Sequence, residues 1–160
     1  HPALLEFFGK DIVDADVQPL VDEIDYGTFP TPQDVSLQLA ADAWGAKRTW
    51  WLTNGASQGN LIATLTLANL GDSIVLQRNV HSSVIDGLAM SGLDASFVHP
   101  SVDTDLGVSS GVTAEALDAA LRDATNPVAA YVVTPSYFGA IADVAGLAEL
   151  ACPWSWQITQ

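Results

Sequence analysis

Residues 53–60 read Thr53-Asn54-Gly55-Ala56-Ser57-Gln58-Gly59-Asn60. The apolar run Trp50-Trp51-Leu52 precedes them, and LIATLTLANL, helical in character, follows. A strand running into Asn54-Gly55, then a helix from about Ser57, leaves several backbone N–H groups without partners at the helix start. Those donors and the helix dipole favour an anion. Gly55 permits the sharp turn, Gly59 lets another backbone or a ligand approach, Ser57 offers a hydroxyl and Gln58 an amide. The same residues also suit a plain capped helix after an Asn-Gly turn. No Gly-Lys-Ser/Thr follows and the spacing is not G-x-G-x-x-G, so the loop is neither a P-loop nor a dinucleotide fingerprint.

Outward from this loop the pattern alternates. Thr49–Thr53 predicts a strand, and Ser57–Asn69 a helix that is apolar nearly all round. Its Leu61, Ile62, Leu65 and Ala68 recur at helical spacing and are expected to be deeply buried. Ser73–Gln77 predicts a strand, His81–Met90 a helix, and Ala95–His99 a strand closed by Pro100. VDTDLGVSSG reads as a loop leading to Thr113, a good N-cap, and Leu117, Ala120, Leu121 and Ala124 mark the apolar stripe of the next helix. Ala129–Thr134 predicts a strand and Val144–Ala151 a final helix. This order implies βαβ units, hence a three-layer α/β fold with a mainly parallel sheet. Right-handed crossovers then set the loops after the strands along one sheet edge, where ligands bind in open α/β folds. Before Gly45 the rhythm is absent: residues 1–31 read as an irregular arm and Pro32–Trp44 as a helix. The expected organisation is an arm and helix over 1–44, a partial major domain over 45–151, and a tail over 152–160.

With 160 residues and 49% hydrophobic composition, the chain can bury a sizeable core. Five Lys+Arg against 19 Asp+Glu leave a net charge of −14, which opposes nucleic acid as a partner. His1, His81 and His99 lack metal-ligand spacing, and the single Cys152 cannot form an internal disulfide. No apolar run approaches the ~20 residues that span a bilayer, and no signal peptide is visible, so no membrane partner is expected and the expected compartment is the cytoplasm.

Two further loops share the predicted edge. Arg78-Asn79-Val80-His81-Ser82-Ser83 follows SIVLQ, and Thr134-Pro135-Ser136-Tyr137-Phe138-Gly139 follows AAYVVT. An imidazole there can stack on a ring, move a proton, or simply bond to backbone. With the first loop they are expected to form one composite site. Neither a carboxylate pair for glycoside chemistry nor a G-x-S-x-G elbow is present.

Taken together, NGASQGN, RNVHSSVIDGL and TPSYFGAIADV, with LAADAWGAKRTWWLTNG and LGDSIVLQRN in the right order, resemble the major domain of the ornithine/lysine/arginine decarboxylases. These are pyridoxal-phosphate enzymes with the aspartate-aminotransferase (fold-type I) architecture, and the resemblance covers roughly residues 1–150. It implies that Ser57 holds the cofactor phosphate with backbone N–H groups of Ala56 and Gln58, and that His81 stacks on the pyridine ring. Asp143 matches a family position as a helix-start acid. The family has a hydroxyl residue in place of Ala56 and often a small one in place of Gln58, so one or two phosphate hydrogen bonds are expected to be missing. The implied reaction is decarboxylation of a small basic amino acid (lysine, ornithine or arginine) to its amine, in a homodimer or higher homo-oligomer.

The family also needs an aspartate beneath the pyridine nitrogen and a Schiff-base lysine in a Ser-x-His-Lys context. Lys10 and Lys47 are the only lysines, and neither has that context. After Leu150, ACPWSWQITQ departs from the family's Asp-Glu-Ala-His strand. The resulting expectation is a truncated form, inactive alone, with an unpaired sheet edge and exposed Trp154 and Trp156. Two alternatives stand beside it: an inactive cofactor-binding or interaction module of that ancestry, or another fold-type I enzyme such as an aminotransferase or carbon–sulfur lyase. The RNVHSS block argues against the latter, because aminotransferases usually place a different aromatic at the stacking position.

Overall fold

A computed structural model describes residues 2–15, 26–151 and 158–159 of the chain. Two compact units divide it, residues 1–51 and residues 52–160.

In the first unit, helices α1 (Pro2–Phe8) and α2 (Lys10–Asp14) form where the sequence suggests an irregular arm, and neither buries a residue. Helix α3 (Pro32–Trp44) begins with a reciprocal cap. The Asp34 N–H donates to Thr31 Oγ1 at 3.2 Å, and the Thr31 N–H donates to Asp34 Oδ2 at 2.9 Å. The strand predicted at 49–53 does not form. Thr49 and Trp51 instead donate side-chain hydrogen bonds to the Leu37 carbonyl and Ser36 Oγ of α3. Aromatic and β-branched residues fit a strand only where a ladder partner exists, and this segment has none among the described residues.

The second unit runs α4 (Gly55–Leu67), β1 (Ser73–Gln77), α5 (Ser82–Ser91), β2 (Asp94–Val98), β3 (Val102–Asp103), β4 (Val108–Ser109), α6 (Ala114–Asp123), β5 (Pro127–Tyr131), α7 (Val144–Ala151) and β6 (Ile158–Thr159). The main sheet has the order β2-β1-β5-β6, and all its pairings are parallel. Every residue of β1 is buried, as expected of a central parallel strand covered on both faces. Strand alternation then sorts the core. Ile74, Leu76, Ala129 and Tyr131 pack with Val84 and Leu88 of α5, whereas Val75, Ala130 and Val132 pack with Leu117, Leu121 and Leu147 of α6 and α7. The result is the expected three-layer α/β unit.

Three details depart from the sequence reading. VDTDLGVSSG closes a small hairpin, β3–β4, because Asp103 Oδ1 accepts from the Asp105 and Leu106 N–H groups and Gly107 turns the chain back. The tail contributes β6, so the outer side of β5 is paired and the sheet edge lies one strand further out. Trp154, Trp156 and Cys152 lie outside the described residues. Finally, α4 is not deeply buried on its apolar positions: Ile62 is 48% and Leu65 40% exposed, and its buried residue is Thr64. The reason lies in its neighbour. A Cβ on Gly87 of α5 would sit 2.1 Å from Thr64 Oγ1, so the helices meet through a glycine and a threonine rather than through leucines.

Candidate active site

Helix α4 starts at Gly55, two residues earlier than the sequence suggests, with Gly55 itself in the left-handed region at φ 67°. The earlier start moves the free donors. Gly55, Ala56 and Ser57 now occupy the first turn, whose N–H groups have no partner within a helix. The Asn54 side chain makes no cap bond. Gln58 turns its Oε1 back to accept the Asn54 N–H at 3.1 Å, so its side chain braces the turn rather than offering a donor outward. Ser57 is exposed. Gly59 abuts the Leu52 side chain, not a second backbone.

His81 is the N-cap of α5, exposed, with its Nδ1 accepting the Ser83 N–H at 3.2 Å. Ser83 Oγ lies 2.8 Å from the same Nδ1 and accepts a hydrogen bond from Asn60 Nδ2, also at 2.8 Å. Asn60 Oδ1 in turn accepts the Tyr131 hydroxyl at 2.7 Å. Asn60 follows Ala56 and Ser57 by one helical turn, so these bonds tie the turn after the start of α4 to the His81 cap. Burial of Tyr131 raises its pKa and keeps the hydroxyl a donor.

The loop carrying His81 is braced on three sides. Fully buried Gln77 accepts the Val133 N–H at 3.1 Å and donates to Asn79 Oδ1 at 2.6 Å. Arg78 N–H donates to the Val98 carbonyl at 2.8 Å, and Asn79 Nδ2 donates to Ser109 Oγ at 2.9 Å. The third predicted loop shares the edge but spends its polar groups on itself. Ser136 Oγ accepts from the Phe138 and Ala140 N–H groups, and Thr134 Oγ1 from that of Ala142. Asp143 accepts the Gly146 N–H at 3.1 Å at the start of α7.

Two cavities lie elsewhere. One of about 450 Å³ is lined by Asp34, Leu37, Lys47, Arg48 and Trp50 within the first unit, and one of about 740 Å³ by Asp72, Asp94, Asp123 and neighbours at the opposite sheet edge. Neither includes Ala56, Ser57, Gln58 or His81; Ala56, Ser57 and His81 are exposed. Among the described residues no cluster of His, Cys, Asp and Glu suits a metal, and no helix is long and apolar enough to cross a membrane.

The sequence profile described as Orn/Lys/Arg decarboxylase, major domain, matches residues 1–158. The chain belongs to this decarboxylase family. Arginine decarboxylase of Bacillus subtilis (strain 168) is 33% identical over 154 residues, covering 94% of this chain and 31% of that protein. Constitutive lysine decarboxylase of Escherichia coli (strain K12) is 28% identical over 143 residues, 84% of this chain and 20% of that one. The chain therefore spans about a third or less of the curated decarboxylases it matches. Among solved structures, Sphingomonas wittichii serine palmitoyltransferase superposes with a TM-score of 0.60 at 18% identity, over 98% of this chain and 35% of that one, which is a likeness of fold. The fold is the aminotransferase-like α/β fold that the resemblance implies.

Three residues of this decarboxylase-family chain escaped the sequence reading: Asn60, Ser83 and Tyr131. Their signal is nonetheless present. Asn60 and Thr64 are polar residues four apart amid the apolar run of α4, so they share one face.

Proposed function

We propose that this chain carries the part of a pyridoxal-phosphate-dependent basic-amino-acid decarboxylase that grips the cofactor phosphate and lies over its ring. The observation that carries this reading is the hydrogen-bonded chain from Asn60 to His81, which joins a donor-rich helix start to an exposed imidazole. The residues fit the group. Unpaired N–H groups of Gly55, Ala56 and Ser57 and the Ser57 hydroxyl suit a dianion, and a flat imidazole suits an aromatic face. Ala56 supplies no hydroxyl, so the grip has one bond fewer than a hydroxyl residue would give.

Bound pyridoxal phosphate supplies an electron sink for the pair left when carbon dioxide departs. This chain's residues do the holding. Gly55, Ala56 and Ser57 donate to phosphate oxygens, Gln58 fixes the turn that presents them, and His81 restrains the tilt of the ring. The net charge of −14 favours approach of a cationic amino acid such as lysine, ornithine or arginine.

A second reading has its own support. Within these 160 residues the lysines are Lys10 and Lys47, neither in the family's Ser-x-His-Lys context. The chain by itself is then a module that holds the cofactor without a covalent bond. Titration with pyridoxal phosphate, followed by absorbance and by borohydride treatment, tests both. Saturable binding that Ser57→Asp weakens roughly tenfold or more, by setting a carboxylate against the phosphate, supports the site. A borohydride-fixed adduct on Lys10 or Lys47 sinks the non-covalent reading, and equal binding by wild type and Ser57→Asp sinks the site itself.

A further inference from the structure

The hydrogen-bonded chain behind His81 has a direction, and the direction has a consequence. Tyr131 (7% exposed) and Ser83 (6% exposed) are buried, whereas His81 is at the surface. A hydroxyl can donate or accept, and an amide can be turned end for end, so most of the chain could run either way. One donor cannot be reversed: the backbone N–H of Ser83, 3.2 Å from His81 Nδ1. It needs a lone pair at Nδ1. A proton on Nδ1 would set N–H against N–H and leave a buried donor unpaired. With Nδ1 bare, Ser83 Oγ–H points to it across 2.8 Å, Ser83 Oγ accepts from Asn60 Nδ2, and Asn60 Oδ1 accepts from Tyr131. Each acceptor is used, and the imidazole proton is left on Nε2, the nitrogen farther from the cap.

We propose that Asn60, Ser83 and Tyr131 are positioning residues that hold His81 as its Nε2–H tautomer in one orientation, so that the site presents a fixed ring face. An asparagine four residues before a buried threonine in an apolar helix is poorly explained by packing alone; as the middle of a one-way relay it has a role. The ring's use in stacking rests on the cofactor reading above, whereas the tautomer and its control do not.

The test uses the cofactor-free chain. Long-range ¹H–¹⁵N correlation of the imidazoles reports the tautomer of each of the three histidines, and His81→Gln assigns the signal of interest. Wild-type His81 is expected to show a bare Nδ1 and a protonated Nε2. Asn60→Asp is close to isosteric but replaces the amide donor by an acceptor that captures the Ser83 hydroxyl hydrogen. The ratio of Nε2–H to Nδ1–H should then fall about five- to tenfold, the effect of one buried hydrogen bond. Tyr131→Phe, which leaves the Asn60 amide in place, should shift the ratio less. Ser83→Ala provides the same readout if Asn60→Asp does not fold. A wild-type Nδ1–H tautomer, or a ratio unchanged in every folded variant, overturns the proposal. A pyridoxal-phosphate titration of the same samples separates the two ideas. If the tautomer responds but the cofactor does not bind, the relay stands and the cofactor reading falls.

Discussion

The two helical layers that cover the sheet are built by different rules. On one face α6 is an ordinary amphipathic helix: Leu117 and Leu121 are sealed against Val75, Ala130 and Val132, and Glu115 and Arg122 face solvent, with Arg122 paired to half-buried Asp118. On the other face α4 turns Asn60 and Thr64 toward α5 and leaves Ile62 and Leu65 half exposed. Burial of apolar side chains contributes about 1.5–3 kcal/mol each, so a helix selected for stability alone would use leucine where α4 uses asparagine. The first layer holds the domain together. The second gives up packing to place polar groups at the edge where the candidate site lies.

Mutations should separate these roles. The largest stability loss is expected on the scaffold side, where Leu117→Ala or Leu121→Ala should cost about 2–5 kcal/mol in urea unfolding. The folded fraction should still bind pyridoxal phosphate as wild type does. Next comes Gly87→Ala, whose new Cβ would lie 2.1 Å from Thr64 Oγ1 and must push α4 from α5. It should cost about 1–3 kcal/mol and also weaken cofactor binding, because it moves Asn60 away from Ser83. If Gly87→Ala loses stability but binds normally, the polar layer is merely a weaker scaffold and the contrast fails. Smaller again is Tyr131→Phe, about 0.5–1.5 kcal/mol for one hydrogen bond.

Tyr131 also gives the comparison a pH signature. Its folded-state pKa is raised by burial, so the neutral form is the one the fold accommodates. Stability is fully present below the ordinary tyrosine value of about 10 and is lost as pH rises from there through the folded value. Tyr131→Phe should flatten that loss in denaturation curves recorded between neutral and alkaline pH. An alkaline limb equally steep in the variant would place its origin elsewhere.

How much of this was legible in the sequence depended on which layer was being read. The apolar face announces itself: Thr113 caps α6 as expected, the stripe of Leu117 and Leu121 is the buried one, and β1 occupies Ser73–Gln77 as its apolar run suggests. The polar face is harder to read: Asn60 and Thr64 mark one side of α4, but nothing local says that this side turns inward. Its partners, Ser83 and Gly87 of α5, lie twenty-three residues further on. Trp50 and Trp51 mislead for a related reason. Their strand-like composition needs a ladder partner that no local pattern can supply. The loops at 53–60 and 78–83 were readable as parts of one edge, but the bonds joining them run through residues 60, 83 and 131, too far apart in sequence to be seen before the fold is known.

The most direct test of the central claim is a backbone amide and imidazole NMR titration of the chain with two probes, inorganic phosphate and pyridoxal phosphate. Phosphate should shift the amides of Gly55, Ala56 and Ser57 and leave the His81 ring unmoved, while pyridoxal phosphate should shift both sets together with one dissociation constant. Separate dissociation constants for the two sets, or shifts confined to other parts of the surface, would contradict a single site built from the start of α4 and the cap of α5.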